Sequence, residues 1–527
     1  MPTLDWIGKK AVVNHNNQAP FHLLKEAPDS SVGEPGSGNL LVEGDNLLAL
    51  KALLPYYAGQ VKCIYIDPPY NTGNEGWIYN DNVNSPEIRK WLGKVVGGEM
   101  EDLSRHDKWL CMMYPRLSLL RGMLRDDGAI FISIDDAELH NLCHIMGEIF
   151  GQNNHLFTAI WQHSLQPKGY SGKMSIHHNY IVAFSKTALF QLKDMPRREE
   201  HNVNYSNPDN DPRGPWRAGD VRNALYRPNL IYDLVTPAGK IIKPPPKGWR
   251  WSKATMQEKI ASGEIVFRAN ETKILRKIYL IDQTGRPPES IWFGEDVGTT
   301  REANQELKDI FGKSASFETP KPVSLVHRIL EISTDKDSLI LDSFAGSGTT
   351  GHAVLQLNKQ DGGNRRFILV EMDSYICRNV TAERLRRVCN GYKKPDGTWV
   401  ESLGGGFQFC QLGTVCFDEH GRINAEVTFT DLARHVFFTE TGEPLPREAN
   451  SPLIGIYQGT AFYLLYNGIL HDNRPNGGNV LTQSVLDELP KHEGPKVIYG
   501  TACRFSPARL KRENIVFKQI PYEIRVH

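Results

Sequence analysis

Alternating strand and helix patterns are the feature that most constrains the fold of this chain. Short apolar runs that favour strands alternate with longer amphipathic runs that favour helices, near the start of the chain and again beyond residue 320. The predicted strands are 40–42, 61–66, 129–134, 338–341 and 366–370, and the predicted helices are 46–54, 104–125, 325–332, 348–357 and 381–388. Such alternation predicts an α/β fold, with a mostly parallel sheet and helices on both of its faces.

The composition indicates a large globular protein and excludes several classes. The chain has 527 residues, which is enough for two to four domains, and its 61 basic residues balance 61 acidic ones. The net charge therefore does not indicate a polyanionic partner, but it does not exclude a local basic patch. The eight cysteines form no CxxC pair and no zinc-type cluster, so we expect reduced thiols and no metal site. Without a signal peptide or a run of 18 apolar residues, a cytoplasmic protein that binds no membrane is expected.

A first candidate site follows the strand 61–66, which runs directly into Asp67, Pro68, Pro69 and Tyr70. Proline cannot continue a strand ladder, so the strand must end here, and the residue before a proline is forced into an extended conformation. The result is a stiff corner that presents a carboxylate, rigid carbonyls and an aromatic ring. Ligands of open α/β sheets bind at this edge, outside the carboxyl ends of the strands.

A second candidate site is the glycine turn of LILDSFAGSGTTG, residues 339–351, where a strand leads through Gly346 and Gly348 into a helix. Glycines let the backbone curl tightly and let a ligand lie directly on it. A P-loop is disfavoured because no lysine follows the second glycine. A dinucleotide site and a nucleoside-type cofactor without phosphates both remain open. Glu371, at the end of the next strand, is placed to accept hydrogen bonds from ribose hydroxyls.

Taken together, the DPPY corner and the FAGSG turn resemble the amino-group DNA methyltransferases that use S-adenosylmethionine. DPPY comes first and FAGSG follows about 275 residues later, an order similar to that of the β class of this family. Other segments resemble the modification (Mod) subunits of type III restriction-modification systems: GDNLLAL at 44–50, EDLSRHDKWLCMMYPRLSLL at 101–120, GAIFISIDD at 128–136, FETPKPVSLVHRILEIS at 317–333 and NRRFILVEMD at 364–373. The resemblance covers roughly residues 38–391.

The resemblance implies a Rossmann-like methyltransferase fold, with a seven-stranded type of sheet, an inserted target-recognition region and a small C-terminal α+β domain. The implied ranges are an N-terminal lead (1–37), a catalytic half (38–185), the target-recognition insert (186–310), a cofactor-binding half (311–395) and a C-terminal domain for partner docking or dimerisation (396–527). The insert carries a small excess of basic residues, and tryptophans 216, 249, 251 and 292 lie close in sequence to arginines or lysines. That composition suits a surface that grips nucleic acid.

The resemblance also assigns site residues. The catalytic residues would be Asp67, Pro68, Pro69 and Tyr70. The cofactor-binding residues would be Asp45, Lys321, Asp342, Phe344, Ala345, Gly346, Gly348, Thr349 and Glu371. Asp45 would meet the adenosine edge, Lys321 the methionine end and Glu371 the ribose. For Asp45 and Lys321 the plainer interpretations, a turn acid and a solvated lysine, stay open.

The chemistry of this family explains why such a corner is needed. The exocyclic amino group of adenine is a poor nucleophile, because its lone pair is delocalised into the ring. The carboxylate of Asp67 and the carbonyl of Pro68 could each accept one N–H hydrogen bond and free that lone pair for attack on the methyl group. Tyr70 would stack on the base. A base inside a duplex cannot reach this corner, so the target adenine would have to be flipped out of double-stranded DNA.

The sequence therefore predicts a site-specific adenine-N6 DNA methyltransferase, the modification subunit of a type III-like restriction or phage-defence system. Its partners would be double-stranded DNA, a restriction or helicase subunit and a second copy of itself, in the nucleoid of a prokaryote. Cytosine-N4 methylation uses the same geometry and is the nearest alternative. A recognition subunit that no longer methylates is a second alternative. Cytosine-C5 methylation is excluded, because no cysteine follows a proline.

Two pairs of neighbouring residues, His106–Asp107 and Asp135–Asp136, are not assigned to the site. His106 and Asp107 resemble a catalytic dyad, but both fall in the first turn of a predicted helix, where Asp107 would form a capping pair with Ser104. Asp135 and Asp136 follow a strand, where an acidic pair is most often a solvated turn.

Overall fold

The chain folds into two compact units in the computed structural model, which describes residues 3–33, 37–72, 90, 93–94, 104–167, 174–268, 270–271, 273–312, 317–418, 420–466, 469 and 478–521. The large unit comprises Met1–Leu192 and Glu289–His527, and the small unit is Lys193–Pro288. The small unit is shorter than the insert expected at 186–310, because residues 186–192 and 289–310 fold with the large unit. Within the described ranges, every helix is too short or too polar to cross a membrane.

A ten-stranded sheet forms the centre of the large unit. Its strands are β1 (His22–Glu26), β2 (Leu40–Glu43), β3 (Val61–Ile66), β4 (Leu124–Ile134), β5 (His155–Gln162), β6 (His178–Ser185), β7 (Ile291–Trp292), β8 (Leu339–Asp342), β9 (Arg366–Glu371) and β10 (Gln408–Val415). Their order across the sheet is β1-β10-β2-β9-β8-β3-β4-β6-β5-β7. From β10 to β4 all neighbours run parallel, whereas β6 is antiparallel to both β4 and β5. The mostly parallel sheet is confirmed.

Helices cover the sheet, and their bounds differ from the predicted ones by a few residues. They are α1 (Asn46–Tyr57), α2 (Arg105–Met123), α3 (Leu139–Met146), α4 (Thr300–Phe311), α5 (Val323–Ser333), α6 (Thr349–Asp361), α7 (Glu383–Asn390) and α8 (Phe429–Thr441). Helices α1 and α2 pack against each other, and so do α5 and α6. Strands β2, β3 and β8 are buried along their whole length, as expected for parallel strands covered on both faces.

The C-terminal range does not begin a separate unit at residue 396. Strand β10 lies inside the central sheet, parallel to β2 on one side and antiparallel to β1 on the other. This pairing also ties the N-terminal range 1–37 to the sheet through β1. Beyond β10, the strands Leu453–Tyr457, Thr460–Leu464, Lys496–Gly500 and Ile515–Gln519 form a second sheet of four strands. This second sheet and α8 share a hydrophobic cluster with Phe21 and Cys416, so the C-terminal range is packed into the large unit.

The small unit contains an antiparallel sheet of Trp216–Gly219, Lys273–Tyr279 and Ile265–Arg268, with a helix at Lys253–Ala261. Several cations lie over its tryptophans. Lys277 lies 5.0 Å from the Trp216 ring centroid, and Lys259 lies 5.2 Å from that of Trp251. Lysines thus lie against two of the four tryptophans noted in the sequence, whereas Trp292 belongs to β7 of the large unit.

Candidate active site

The DPPY corner is held rigidly from behind. Pro68 and Pro69 are both buried, and the indole N–H of Trp109 in α2 donates to the Pro69 carbonyl at 2.6 Å. The next residue after Tyr70, Asn71, has a φ of +62°, which is the left-handed conformation that asparagine tolerates best among non-glycine residues. The corner therefore turns sharply away from β3 just after the aromatic ring.

A buried carboxylate, Glu138, ties the corner to the start of α2. It accepts hydrogen bonds from the amide of Asn71 and from that of Asn141, and it lies 2.6 Å from the Nδ1 atom of His106. Asp107 instead completes a capping box with Ser104. The His106–Asp107 pair is thus no dyad, since each side chain is bound elsewhere, as the capping prediction required.

The Asp135–Asp136 pair also has structural partners. The carboxylate of Asp135 accepts the backbone N–H of Ala137 at 2.9 Å, and that of Asp136 accepts the hydroxyl of Tyr180 at 2.8 Å. Burial is the largest cause that raises the pKa of Tyr180 to about 12, so the hydroxyl stays protonated and able to donate. Within the described residues, no group of three acidic, histidine or cysteine side chains could hold a metal ion.

The glycine turn lies at the carboxyl end of β8 and depends on positive φ angles. Gly346 has a φ of +50° and Gly348 a φ of +79°, both in the region that glycine adopts without strain. A Cβ atom at Gly346 would lie 3.0 Å from the ring of Phe317. The hydroxyl of Thr381 donates to the Gly346 carbonyl at 2.6 Å. A ligand can therefore approach the backbone of the turn closely, while the Gly346 carbonyl is held by Thr381.

Two buried carboxyl groups brace the turn. Asp342 accepts the backbone N–H of Phe344 at 3.0 Å and the hydroxyl of Thr350, and Glu371 accepts the N–H of Gly346 at 2.8 Å. Burial is the main cause that raises the pKa of Asp342 to about 7 and that of Glu371 to about 8. Both groups are thus costly to ionise in this fold, and both are engaged with the backbone of the turn.

Behind the turn lies an arginine that sequence reasoning missed. Arg384 of α7 is fully buried, and its guanidinium donates to the Ser347 carbonyl at 3.3 Å and to the hydroxyl of Thr349 at 3.0 Å. Its nearest carboxylate is that of Glu306, at 3.7 Å, and burial lowers the pKa of Arg384 to about 10. The only signal in the sequence is a basic residue on the apolar side of a helix, which indicates no particular partner.

The corner and the turn meet because β3 and β8 are neighbours. Leu341 pairs with Ile64 in parallel register, so both strands end at the same edge of the sheet. Lys321 joins the two motifs: its ammonium forms an ion pair with Asp67, and its carbonyl accepts the hydroxyl of Thr349 at 3.1 Å. The lysine is 9% exposed, so the interpretation as a solvated lysine is excluded.

A cavity of about 440 Å³ opens at the corner. Asp67, Pro68, Tyr70 and Lys321 line it. Further lining residues come from the end of β5 and the segment after it (Trp161, His163 and Gln166), from β6 (Asn179) and from the start of α4 (Thr300 and Arg301). These residues were not predicted, because nothing in the sequence indicates that the ends of β5 and α4 face the corner. The volume lies in the range of ~300–1,000 Å³ that is typical of small-molecule sites.

Asp45 has a structural role at the amino end of α1. Its carboxylate accepts the backbone N–H groups of Leu47 and Leu48 and forms an ion pair with Arg116 at 3.2 Å. These contacts agree with the interpretation of Asp45 as a turn acid. Its assignment to the adenosine edge stays a prediction.

The glycine turn fits a nucleoside cofactor on two observations. Phe344 and Ala345 are buried at the turn, and the hydroxyl of Ser343 is buried with no hydrogen-bond partner among the residues that the structure describes. Each oxygen of Glu371 accepts one backbone N–H, which leaves further lone pairs on the carboxylate for hydroxyl groups. The residues present are thus compatible with a ligand that carries hydroxyls and lies on glycine backbone.

Comparisons with known proteins agree on one family. A family model described as DNA methylase matches residues 61–383. The Mod subunit of the StyLTI type III restriction-modification enzyme of Salmonella typhimurium is 34% identical over 397 residues, covering 72% of this chain and 60% of that protein. The EcoPI Mod subunit of Escherichia phage P1 is 29% identical, covering 98% of this chain and 89% of that protein. The type II methyltransferase M.KpnI of Klebsiella pneumoniae is 32% identical, covering 68% and 85%. The chain thus spans less than two thirds of the StyLTI relative.

Proposed function

Because this chain belongs to the DNA methylase family, whose model matches residues 61–383, we propose that it transfers a methyl group from S-adenosylmethionine to the N6 amino group of adenine in DNA. The observation that carries this proposal is the meeting of the DPPY corner and the glycine turn at the ends of the neighbouring strands β3 and β8. A cavity at the corner provides a place for the base beside the proposed cofactor site.

The corner supplies two hydrogen-bond acceptors to the target amino group. The carboxylate of Asp67 and the carbonyl of Pro68 each accept one N–H, which draws the nitrogen toward a pyramidal geometry and directs its lone pair outward. The two prolines and the indole of Trp109 keep these acceptors fixed before the base arrives. Acceptors that need no reorganisation stabilise the transition state more than mobile ones do.

Tyr70 and the cavity receive the base. The ring of Tyr70 lines the cavity beside Asp67 and offers a face for stacking, which contributes about 1–3 kcal/mol per base. The adenine is flipped out of the duplex, at a cost of a few kcal/mol. Asn179, which also lines the cavity, offers a side-chain amide to another edge of the base.

The glycine turn holds the cofactor. When bound, S-adenosylmethionine supplies a methyl group on a sulfonium centre that is already an activated leaving group. Gly346 and Gly348 let the cofactor lie on the backbone of the turn. Glu371 would hold both the turn and the ribose. Arg384 keeps the outer side of the turn in place through Ser347 and Thr349.

Mass spectrometry of methylated DNA tests the proposal. The purified chain is incubated with genomic DNA and S-adenosylmethionine, and the nucleosides released by digestion are analysed. We expect N6-methyladenine, a gain of one CH₂ per modified base, and long-read sequencing then gives the target sequence. Methyl groups on cytosine N4, or none at all with a correctly folded chain, would overturn the assignment.

The assembly is proposed from the curated relatives. Two of them are named Mod subunits of type III enzymes, and we infer that this chain likewise modifies DNA beside a separate restriction or helicase subunit, as a homodimer. Light scattering should give twice the chain mass of 59.5 kDa. The proposed docking role of 396–527 is best tested on the full chain, because deletion of this range would remove β10 from the central sheet.

A further inference from the structure

Lys321 occupies the part of the corner that the target base would use. Its ammonium forms an ion pair with the Oδ2 atom of Asp67 and lies 4.9 Å from the centroid of the Tyr70 ring. All three side chains line the same cavity. The lysine thus contacts both the carboxylate proposed to accept the amino group and the ring proposed to stack on the base.

The contact between Lys321 and Asp67 is partly shielded from water. The Lys321 side chain is 10% exposed and that of Asp67 is 24% exposed, so water screens the pair less than it screens a surface salt bridge. The amino group of adenine is neutral. It cannot replace the charge of the ammonium, so a base that displaced Lys321 unaided would separate the Asp67 carboxylate from that charge.

The backbone of Lys321 is restrained by its neighbours, and its long side chain is the flexible part. Pro320 and Pro322 flank it and set their own φ angles, and its carbonyl accepts the hydroxyl of Thr349 in the first turn of α6. Thr349 directly follows Gly348 of the glycine turn. The flexible four-carbon stem therefore begins beside the proposed cofactor site and ends at the corner.

The geometry points to Lys321 as a charge that moves from Asp67 to the amino-acid carboxylate of the methyl donor, so that the donor must bind before the base is captured. This inference rests on the proposed function and adds an order to it. The donor would give the ammonium a second carboxylate. Donor binding thereby opens the corner.

Fluorescence of 2-aminopurine tests this order. The analogue replaces the target adenine in a duplex with the sequence found by modification mapping, and its fluorescence rises when it is flipped out. S-adenosylhomocysteine and 5′-methylthioadenosine are compared as donors without a transferable methyl group, since both are thioethers and only the first carries the amino-acid carboxylate. For the unaltered chain, we expect base capture to be tighter with S-adenosylhomocysteine by about 5- to 150-fold, the range of typical coupling between sites.

Two variants of Lys321 and one control complete the experiment. Lys321→Met keeps most of the stem and removes the charge, so base capture should become independent of which ligand is present. Lys321→Arg keeps a cation and should retain the dependence. Lys359→Met, an exposed lysine at the far end of α6, should behave as the unaltered chain does.

The outcomes separate this inference from the proposed function. Equal base capture with both ligands in the unaltered chain, or an unchanged ligand dependence in Lys321→Met, would overturn the inference while methyl transfer to adenine still stood. Loss of methyl transfer to adenine in the unaltered chain would instead overturn the proposed function, and that result comes from mass spectrometry rather than from fluorescence.

Discussion

The DPPY corner and the glycine turn end neighbouring strands of one sheet, yet they are held in different ways. The glycine turn is closed: Asp342 and Glu371 are buried and bonded to its backbone, and Arg384 holds it from outside. The corner is rigid behind, through Trp109, but on its open side the carboxylate of Asp67 faces a cavity and a lysine. The backbone of the turn is thus bonded to buried side chains, whereas the carboxylate of the corner lines a cavity.

The largest expected effect is that of Asp67→Ala. It removes the charged acceptor from the corner and leaves the turn untouched, so the rate of methyl transfer should fall by at least ~10²–10³-fold. Calorimetric titration should show donor binding that remains. If the rate stayed near that of the unaltered chain, the corner would not be the reacting site.

The pH dependence of stability should report on the turn. The pKa of Asp342 is raised from its usual 3.8 to about 7 and that of Glu371 from 4.5 to about 8, so the folded state holds these protons more tightly than the unfolded state does. Their contribution to stability is therefore greatest below pH 4 and is lost as the pH rises toward 8, by at most ~1.4 kcal/mol per pH unit for each group. In thermal unfolding, Asp342→Asn should flatten this loss between pH 4 and 7. An unchanged profile would mean that Asp342 is ionised in the fold.

Gly348→Asp should damage the turn without touching the corner. The φ of +79° disfavours a side chain, and a Cβ here would lie 3.1 Å from the Cγ2 atom of Thr381. We expect donor binding at least about tenfold weaker, which is ~1.4 kcal/mol. Gly362→Asp is the matched control, because Gly362 has a φ of +67° but open space around its Cβ position. Equal loss of donor affinity in both variants would assign the effect to backbone strain alone.

The smallest expected effect is that of Trp109→Phe at the back of the corner. The change removes the indole donor of the Pro69 carbonyl and should lower the free energy of unfolding by about 1 kcal/mol in chemical denaturation. Trp399→Phe, at a tryptophan that is 61% exposed, should change it by less than ~0.5 kcal/mol. Indistinguishable losses would show that the indole does not brace the corner.

Local patterns predicted most of the elements and both motifs. The strand 61–66 and the capping pair of Ser104 and Asp107 are confirmed, because periodicity and capping depend on residues close together in the chain. The pairing of Lys321 with Asp67 was not predicted, since 254 residues separate them and only the order of strands in the sheet brings them together. The contribution of Trp161 and Asn179 to the lining of the cavity was not predicted for the same reason.

The adjacency of β3 and β8 also has a consequence for biosynthesis. Leu341 is synthesised 277 positions after Ile64, so β3 cannot hydrogen-bond with β8 until that stretch of the chain has been made. At translation rates of about 5–20 residues per second, the delay is roughly 14 to 55 s. During that interval one edge of β3, a strand whose six residues are all buried in the folded chain, has no partner strand, and the corner and the turn can come together only after the turn has been synthesised.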